Sequence, residues 1–233
     1  MVKQVVLLAG GKGTRMREMT ETIPKPMVQI GGIPVLQHLM NIFNFYGEFE
    51  YIVSSGYKSE IIEEHFKDVD NVKIINTGKE TLTGGRVFKL SKFLDDEFIV
   101  TYGDGLANVN ISNLISFHKN HKNLGTITVA NPISRFGLVE FDEEQIVSKF
   151  IEKPKLENVN INIGFFVFNK KILDYLDEEC TLETDPLINL SKDRNLNAFI
   201  HDGYFEPMDT YREYLQLTKY WESGNPPWMK LKK

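Results

Sequence analysis

The sequence predicts an α/β fold of three layers, with helices on both faces of a mixed, mainly parallel central sheet and a small antiparallel β addition. Strand-like and helix-like patterns alternate through the first half, as parallel strands joined by crossover helices do. Beyond His121, strand-like runs follow one another over short links, which favours antiparallel pairing. The chain has 233 residues, 42% hydrophobic and 25% charged, the balance of a compact domain. At this length it can bury roughly 70–75% of its unfolded surface and needs no disulfide staples.

Residues 5–9, Val-Val-Leu-Leu-Ala, are short, apolar and closed by Gly10-Gly11, which suits a strand buried on both faces. Val35, Leu36, Leu39, Met40, Ile42, Phe43 and Tyr46 then fall at helical spacing, with Pro34 in the first turn and Gly47 as the stop. Strands are expected at 51–53, 72–75 and 98–101, with helices at 60–66, 87–93 and 111–121. The second half reads as strands at 126–130, 138–141, 146–150, 165–168 and 198–200, with helices at 171–176, 186–193 and 211–221. No repeat, low-complexity tract or linker divides the chain, so one domain over 1–233 is expected.

Composition excludes several classes. Lys and Arg number 27 against 32 Asp and Glu, a net charge of -5, which argues against a general nucleic-acid binder. No apolar run reaches the ~18 residues of a membrane span, and 5–9 is too short for a secretory signal. Cys180 is the only cysteine, so a reducing, cytoplasmic setting is expected and the thiol is read as packing.

The most informative stretch follows the first strand: Leu8-Ala9-Gly10-Gly11-Lys12-Gly13-Thr14-Arg15. Ligands bind at such strand ends in open α/β sheets. Three glycines in four residues let backbone N–H groups approach an anion, so a phosphate cradle is expected. A plain tight turn would not recruit Lys12, Arg15 and Lys25. A dinucleotide fingerprint would need glycine where Met16 stands and an acidic residue near Ser54-Ser55-Gly56, and a Walker loop would need Ser or Thr where Gly13 stands. Ten residues on, Pro24 and Pro26 bracket Lys25 and stiffen its backbone, so its ammonium is presented as a positioned charge.

Together the Gly-Gly-Lys-Gly-Thr-Arg loop and Pro24-Lys25-Pro26 resemble the opening of the nucleotide sugar pyrophosphorylases, the sugar-phosphate nucleotidyltransferases. Tyr102-Gly103-Asp104-Gly105, Arg135-Phe136-Gly137, Glu152-Lys153-Pro154, Asn162 with Gly164 and Pro207-Met208-Asp209-Thr210 stand in that family's order. Thr83-Gly84-Gly85-Arg86 and the tail carrying Trp221 and Trp228 resemble its glucose-1-phosphate cytidylyltransferase branch. The fold implied is Rossmann-like.

The resemblance implies transfer of CMP from CTP to a sugar phosphate, glucose 1-phosphate foremost, releasing pyrophosphate; another sugar or polyol phosphate as acceptor, or UTP or dTTP as donor, are the alternatives. It implies Mg²⁺ on Asp104 and Asp209, Arg15 on the β,γ-phosphates, Lys25 on the α-phosphate and Lys153 on the acceptor's phosphate. Nucleotide contacts fall to Leu8, Ala9, Gly10, Gly11, Gly13, Thr14, Thr83, Gly84, Arg86 and Gly103, and acceptor contacts to Tyr102, Glu152, Asn162 and Gly164. Arg86 is the expected reader of cytosine acceptors. No general base is needed, because a phosphate monoester with a second pKa near 6 is largely dianionic at pH 7. The five histidines are accordingly read as core or surface residues. A regulatory relative would have lost Arg15, Lys25, Asp104 or Asp209, and none is lost; an oxidoreductase is disfavoured by the missing fingerprint. A homo-oligomer is implied, with the 221–228 tail as the expected contact, and neither nucleic acid nor membrane as partner.

Three departures stand out. Only residues 76–82 separate the third strand from Thr83, where the family carries a longer insertion. Ile163 replaces a glycine and is expected to intrude on the acceptor pocket, and Phe205-Glu206 replace an aromatic and an amide before Pro207.

Overall fold

The computed structural model describes residues 2–232. β1 (Gln4–Leu8) leads through a 3₁₀ turn at Thr14–Met16 and α1 (Arg17–Thr20) to the ribbon β2 (Gln29–Ile30) and β3 (Ile33–Pro34). Alternating units follow: α2 (Val35–Asn44), β4 (Glu50–Ser55), α3 (Ser59–Phe66), β5 (Val72–Asn76), α4 (Thr83–Lys89) and β6 (Glu97–Tyr102). Then come β7 (Gly105–Ala107), α5 (Ile111–Lys119), β8 (Gly125–Ala130), β9 (Leu138–Phe141), β10 (Val147–Ile151), β11 (Ile161–Asn162) and β12 (Phe166–Asn169). The chain ends with a 3₁₀ helix at Lys170–Tyr175, α6 (Asp185–Lys192), β13 (Leu196–Ile200), β14 (Phe205–Pro207) and α7 (Tyr211–Glu222).

The main sheet has eight strands in the order β11-β8-β12-β6-β1-β4-β5, with β13 also on β8. β1 is parallel to β4 and β6, and β4 to β5, whereas β12 runs antiparallel to both β6 and β8. The expected mixed, mainly parallel sheet is therefore present. The period-2 alternation of β1 shows the three layers directly: Val5 and Leu7 enter one core with the buried face of α2, while Val6 and Leu8 enter the other with Val87 of α4 and Leu187 and Leu190 of α6. On α2, six apolar side chains are 0–2% exposed, and at about 1.5–3 kcal/mol each their burial is of order 10 kcal/mol. That, rather than helix propensity, anchors the crossover.

Two expectations change. The Thr83 segment was expected in the loop before a helix that starts at Val87, but Thr83 opens α4, because Leu82 is extended and the Gly84-Gly85 pair lets the first turn pack flat on the backbone of residues 178 and 180. The 221–228 tail is not a free contact surface. Trp228 is fully buried and meets His38 edge to face at 5.7 Å, as does Trp221 at 4.9 Å. Among the described residues no helix is long and apolar enough to cross a membrane.

Candidate active site

A cleft of about 800 Å³ opens at the carboxyl ends of β1 and β6, the position the strand order favours for ligands. Its floor is the glycine loop. The Gly13 φ of 61° is left-handed, and a Cβ there would lie 2.8 Å from the Lys25 Cβ, so only glycine lets the loop turn tightly over that lysine. At Gly10 a Cβ would fall 1.8 Å from an Arg86 guanidinium nitrogen, so the missing side chain is what gives that guanidinium its place. Lys12 reaches across the mouth to Glu80 at 2.5 Å.

The charged centre is assembled from four distant segments. Lys25, in a 3₁₀ turn after extended Pro24, is 8% exposed. Its Nζ donates to Asp104 Oδ2 at 2.5 Å and to Asp209 Oδ1 at 2.7 Å. Arg15, largely exposed, donates to the other Asp209 oxygen at 2.8 Å. Asp209 reaches Asp104 because β14 pairs antiparallel with β7, joining Pro207 to Gly105, and the Met208 N–H donates to the Asp104 carbonyl at 2.9 Å. Asp209 does not cap α7. Thr210 and Glu213 form the capping box there, and Glu213 also accepts from the Asp209 N–H at 2.7 Å. The Asp209 carboxylate is thereby left to face cations. Burial alone would raise its pKa, but Lys25 and then Arg15 outweigh that and hold it below the usual 3.8. Burial likewise works against the Lys25 charge, and the two aspartates outweigh it, raising its pKa.

Arg86 is 4% exposed, with Nη1 donating to the Ser55 carbonyl at 3.1 Å and the Thr77 hydroxyl at 2.8 Å. No carboxylate among the described residues pairs with it within 4.0 Å, and burial pulls its pKa down. A buried, unneutralised guanidinium in a cleft wall is a standing acceptor-seeking group. On the opposite wall the Tyr102 hydroxyl donates to Glu183 and accepts from Asn162 Nδ2 at 3.3 Å; burial and then Glu183 push its pKa up. Glu183 also accepts from the Thr83 hydroxyl at 2.6 Å. It thus ties α4 to the Tyr102 wall.

A family model described as "Nucleotidyl transferase" matches residues 4–222. The chain belongs to that family. A glucose-1-phosphate cytidylyltransferase of Salmonella typhi is 38% identical over 253 aligned residues, covering 97% of this chain and 98% of that protein. A probable glucose-1-phosphate cytidylyltransferase of Bacillus subtilis is 38% identical with the same coverage. Both alignments are longer than this chain, so the relatives carry segments it lacks, in keeping with the short 76–82 link. Among solved structures, HddC from Yersinia pseudotuberculosis superposes with a TM-score of 0.73 at 27% identity, covering 94% of this chain and 100% of that one. A UDP-glucose pyrophosphorylase, at 17% identity and a TM-score of 0.74, shares the fold.

Members of the nucleotidyltransferase family work on anions with a divalent ion, and the donor set here suits one. Two carboxylate oxygens converge on a single cationic point, now the Lys25 ammonium. Mg²⁺-type ions take one or two protein carboxylates and complete their shell with phosphate oxygens and water. Among the described residues no cluster of three or more His, Cys, Asp or Glu forms a fuller cage.

The cleft gathers Leu8, Ala9, Gly10, Gly11, Gly13, Thr14, Arg15, Lys25, Thr83, Arg86, Tyr102, Gly103, Asp104, Asn162 and Asp209. Four other expected residues do not line it. Glu152 and Lys153 pair with each other at 3.3 Å at the root of the exposed β9–β10 hairpin, and Lys153 has φ 46° at a turn leading away. Gly84 backs onto Cys180. Gly164, at φ 80°, packs behind the Tyr102 ring. Ile163 lies in the wall, but at 2% exposed its side chain belongs to the core, so it takes no acceptor space. Sequence reading missed Glu80, Thr81 and Glu183. The first two adjoin the Thr83 segment and were open to inspection, whereas Glu183 lies 100 residues away and carries no local signal.

Proposed function

We propose that this chain transfers CMP from CTP to a sugar phosphate, glucose 1-phosphate foremost, giving a CDP-sugar and pyrophosphate. The observation that carries the reading is the Arg15, Lys25, Asp104 and Asp209 cluster against a glycine cradle, supported by near full-length relatives of that activity. An acceptor phosphate oxygen attacks the α-phosphorus, the bond to the bridging oxygen breaks, and pyrophosphate leaves with the negative charge. Mg²⁺ held by Asp104 and Asp209 would neutralise phosphate charge when bound. Arg15, at the mouth, draws off the leaving β,γ-phosphates; Lys25, held stiffly at the centre, faces the α-phosphate; main-chain amides of residues 10–14 cradle the triphosphate. Arg86 meets the base. The resting Lys153 position supports no role at the acceptor. The chain acts as one nucleotidyltransferase unit in the cytoplasm, and as a homo-oligomer.

The test is pyrophosphate release by purified protein with Mg²⁺, each of CTP, UTP, dTTP, ATP and GTP, and a panel of sugar and polyol phosphates. CTP with glucose 1-phosphate should dominate. A preference for UTP or dTTP overturns the base assignment, and a different acceptor overturns the sugar. Turnover retained by both Asp104→Ala and Asp209→Ala removes the metal reading.

A further inference from the structure

Arg86 lines the cleft, and within the protein only its Nη1 is engaged. A guanidinium carries five N–H groups in a flat fork. Both hydrogens of Nη1 are used, one on the Ser55 carbonyl at 3.1 Å and one on the Thr77 hydroxyl at 2.8 Å. Among the described residues Nη2 and Nε have no hydrogen-bond partner, and neither is sealed from solvent, so this edge opens on the cleft. The Thr77 hydroxyl owes its place to the sheet. Thr77 directly follows β5, and its N–H prolongs the β4–β5 ladder onto the Ser55 carbonyl at 3.0 Å. The hydroxyl donates to that same carbonyl at 3.0 Å, and the Ser54 hydroxyl lies 2.9 Å away. With its one hydrogen committed, the Thr77 oxygen accepts from both Ser54 and Arg86, which fills its two lone pairs. Thr77 is 5% exposed and Ser54 fully buried. A buried acceptor with no freedom left therefore pins one corner of the guanidinium.

Pinning one nitrogen of a rigid plane fixes the direction of the others. The Nε–Nη2 edge carries two parallel N–H donors, the side of the fork that meets paired acceptors. Cytosine offers such a pair in O2 and N3. Uracil keeps O2 but carries a hydrogen on N3, so one donor of the fork would face another donor and stay unpaired. Both groups that hold Nη1 are neutral, so they orient the guanidinium without cancelling its charge, as a carboxylate at position 77 would. We propose that Thr77 is a specificity-determining positioning residue, which holds Nη1 so that the Nε–Nη2 edge accepts cytosine and rejects uracil. This rests on the CTP reading above and adds the residue that sets the discrimination. Thr77 itself touches no substrate; it acts through Arg86.

Calorimetric titration of the full chain with CTP, UTP and inorganic pyrophosphate, each with Mg²⁺, tests it, with far-UV circular dichroism to verify folding. Thr77→Val keeps the shape of the side chain and drops the acceptor. The ratio of the UTP Kd to the CTP Kd should fall at least tenfold, the scale of one hydrogen bond to a charged group, mainly through weaker CTP binding. Pyrophosphate affinity should stay within threefold of native, because the glycine cradle is untouched. Thr77→Ser restores the hydroxyl and should restore the ratio. Thr77→Ala, which puts no methyl in place of the hydroxyl against the guanidinium, should lower the ratio as Thr77→Val does and serves if the valine variant does not fold. A native chain that does not prefer CTP overturns the base reading and this proposal with it. A native preference for CTP that survives loss of the hydroxyl overturns the role of Thr77 alone. Pyrophosphate binding weakened as much as CTP binding would assign the change to a distorted cradle and overturn it too.

Discussion

Replacing Lys25 by methionine keeps most of the side-chain volume and removes the one charge shared by Asp104 and Asp209. The size of the effect follows from exposure. The lysine side chain is 10% exposed and the two carboxylates 29% and 28%, so the cluster lies between exposed ion pairs, worth 0–1 kcal/mol, and buried ones, whose breaking costs about 3–5 kcal/mol. About 2 kcal/mol is expected, or a fall in Tm of roughly 4–8 °C for a chain of this size. Turnover should drop about 10²–10³-fold, the usual loss when one positioned donor to a developing phosphate charge is removed. Divalent ion should distinguish the variant further. With the ammonium gone, two facing carboxylates await a cation, so Mg²⁺ without nucleotide should recover much of the lost Tm in Lys25→Met and little in the native chain. The pH dependence has a definite sign. The Lys25 pKa is raised, so its contribution is complete below the ordinary value of 10.5 and fades as pH climbs through the folded value. The variant should lack that alkaline loss. Differential scanning fluorimetry across pH and Mg²⁺, beside pyrophosphate release, reads all of these. Activity within threefold of native, or an unchanged Tm, would refute the placement of Lys25 at the centre of the site.

His118 and His121 both bond the Thr126 hydroxyl, at 2.9 and 2.8 Å, and one hydroxyl can donate to only one of them. Burial, then the neighbouring His121, lowers the His118 pKa from 6.5 to about 4. The unfolded chain therefore binds more protons across that window, and stability should fall by up to ~3 kcal/mol from pH 6.5 to 4; a urea midpoint as steep in His118→Gln as in the native chain would show otherwise. Gly10→Ala should raise the KM for CTP at least tenfold while leaving the chain folded, because its Cβ competes directly with the Arg86 guanidinium; an unchanged KM would mean that Arg86 does not serve the nucleotide. Thr210→Ala removes the α7 cap and should cost about 1 kcal/mol, roughly 2–4 °C in Tm, with no loss counting against the cap.

The legible part of the fold was the part whose period is set by burial. β1 is buried on both faces and α2 on one, so a run of apolar residues and a 3.6-residue stripe identified them within a residue or two of their observed ends. The short ribbon β7–β14 left no such trace. Its pairing depends on where two segments 100 residues apart meet, yet it is what carries Asp209 to Asp104. The site was readable where chemistry forces residue type: glycine where a backbone passes within van der Waals contact of a guanidinium, lysine between prolines, aspartate at a strand end. It was unreadable where a residue acts through another, as Glu183 does through Tyr102 and Thr83. The hairpin placed Glu152 and Lys153 outside the cleft because their position is set by the direction of an exposed arm, which no local pattern encodes.

The Lys25 contacts with Asp104 and Asp209 bridge 79 and 184 residues of chain. Closing loops of that length comes late, after nearer contacts have formed. A nascent or nicked chain that has built its first parallel strands and its glycine cradle therefore still lacks half of its charged centre.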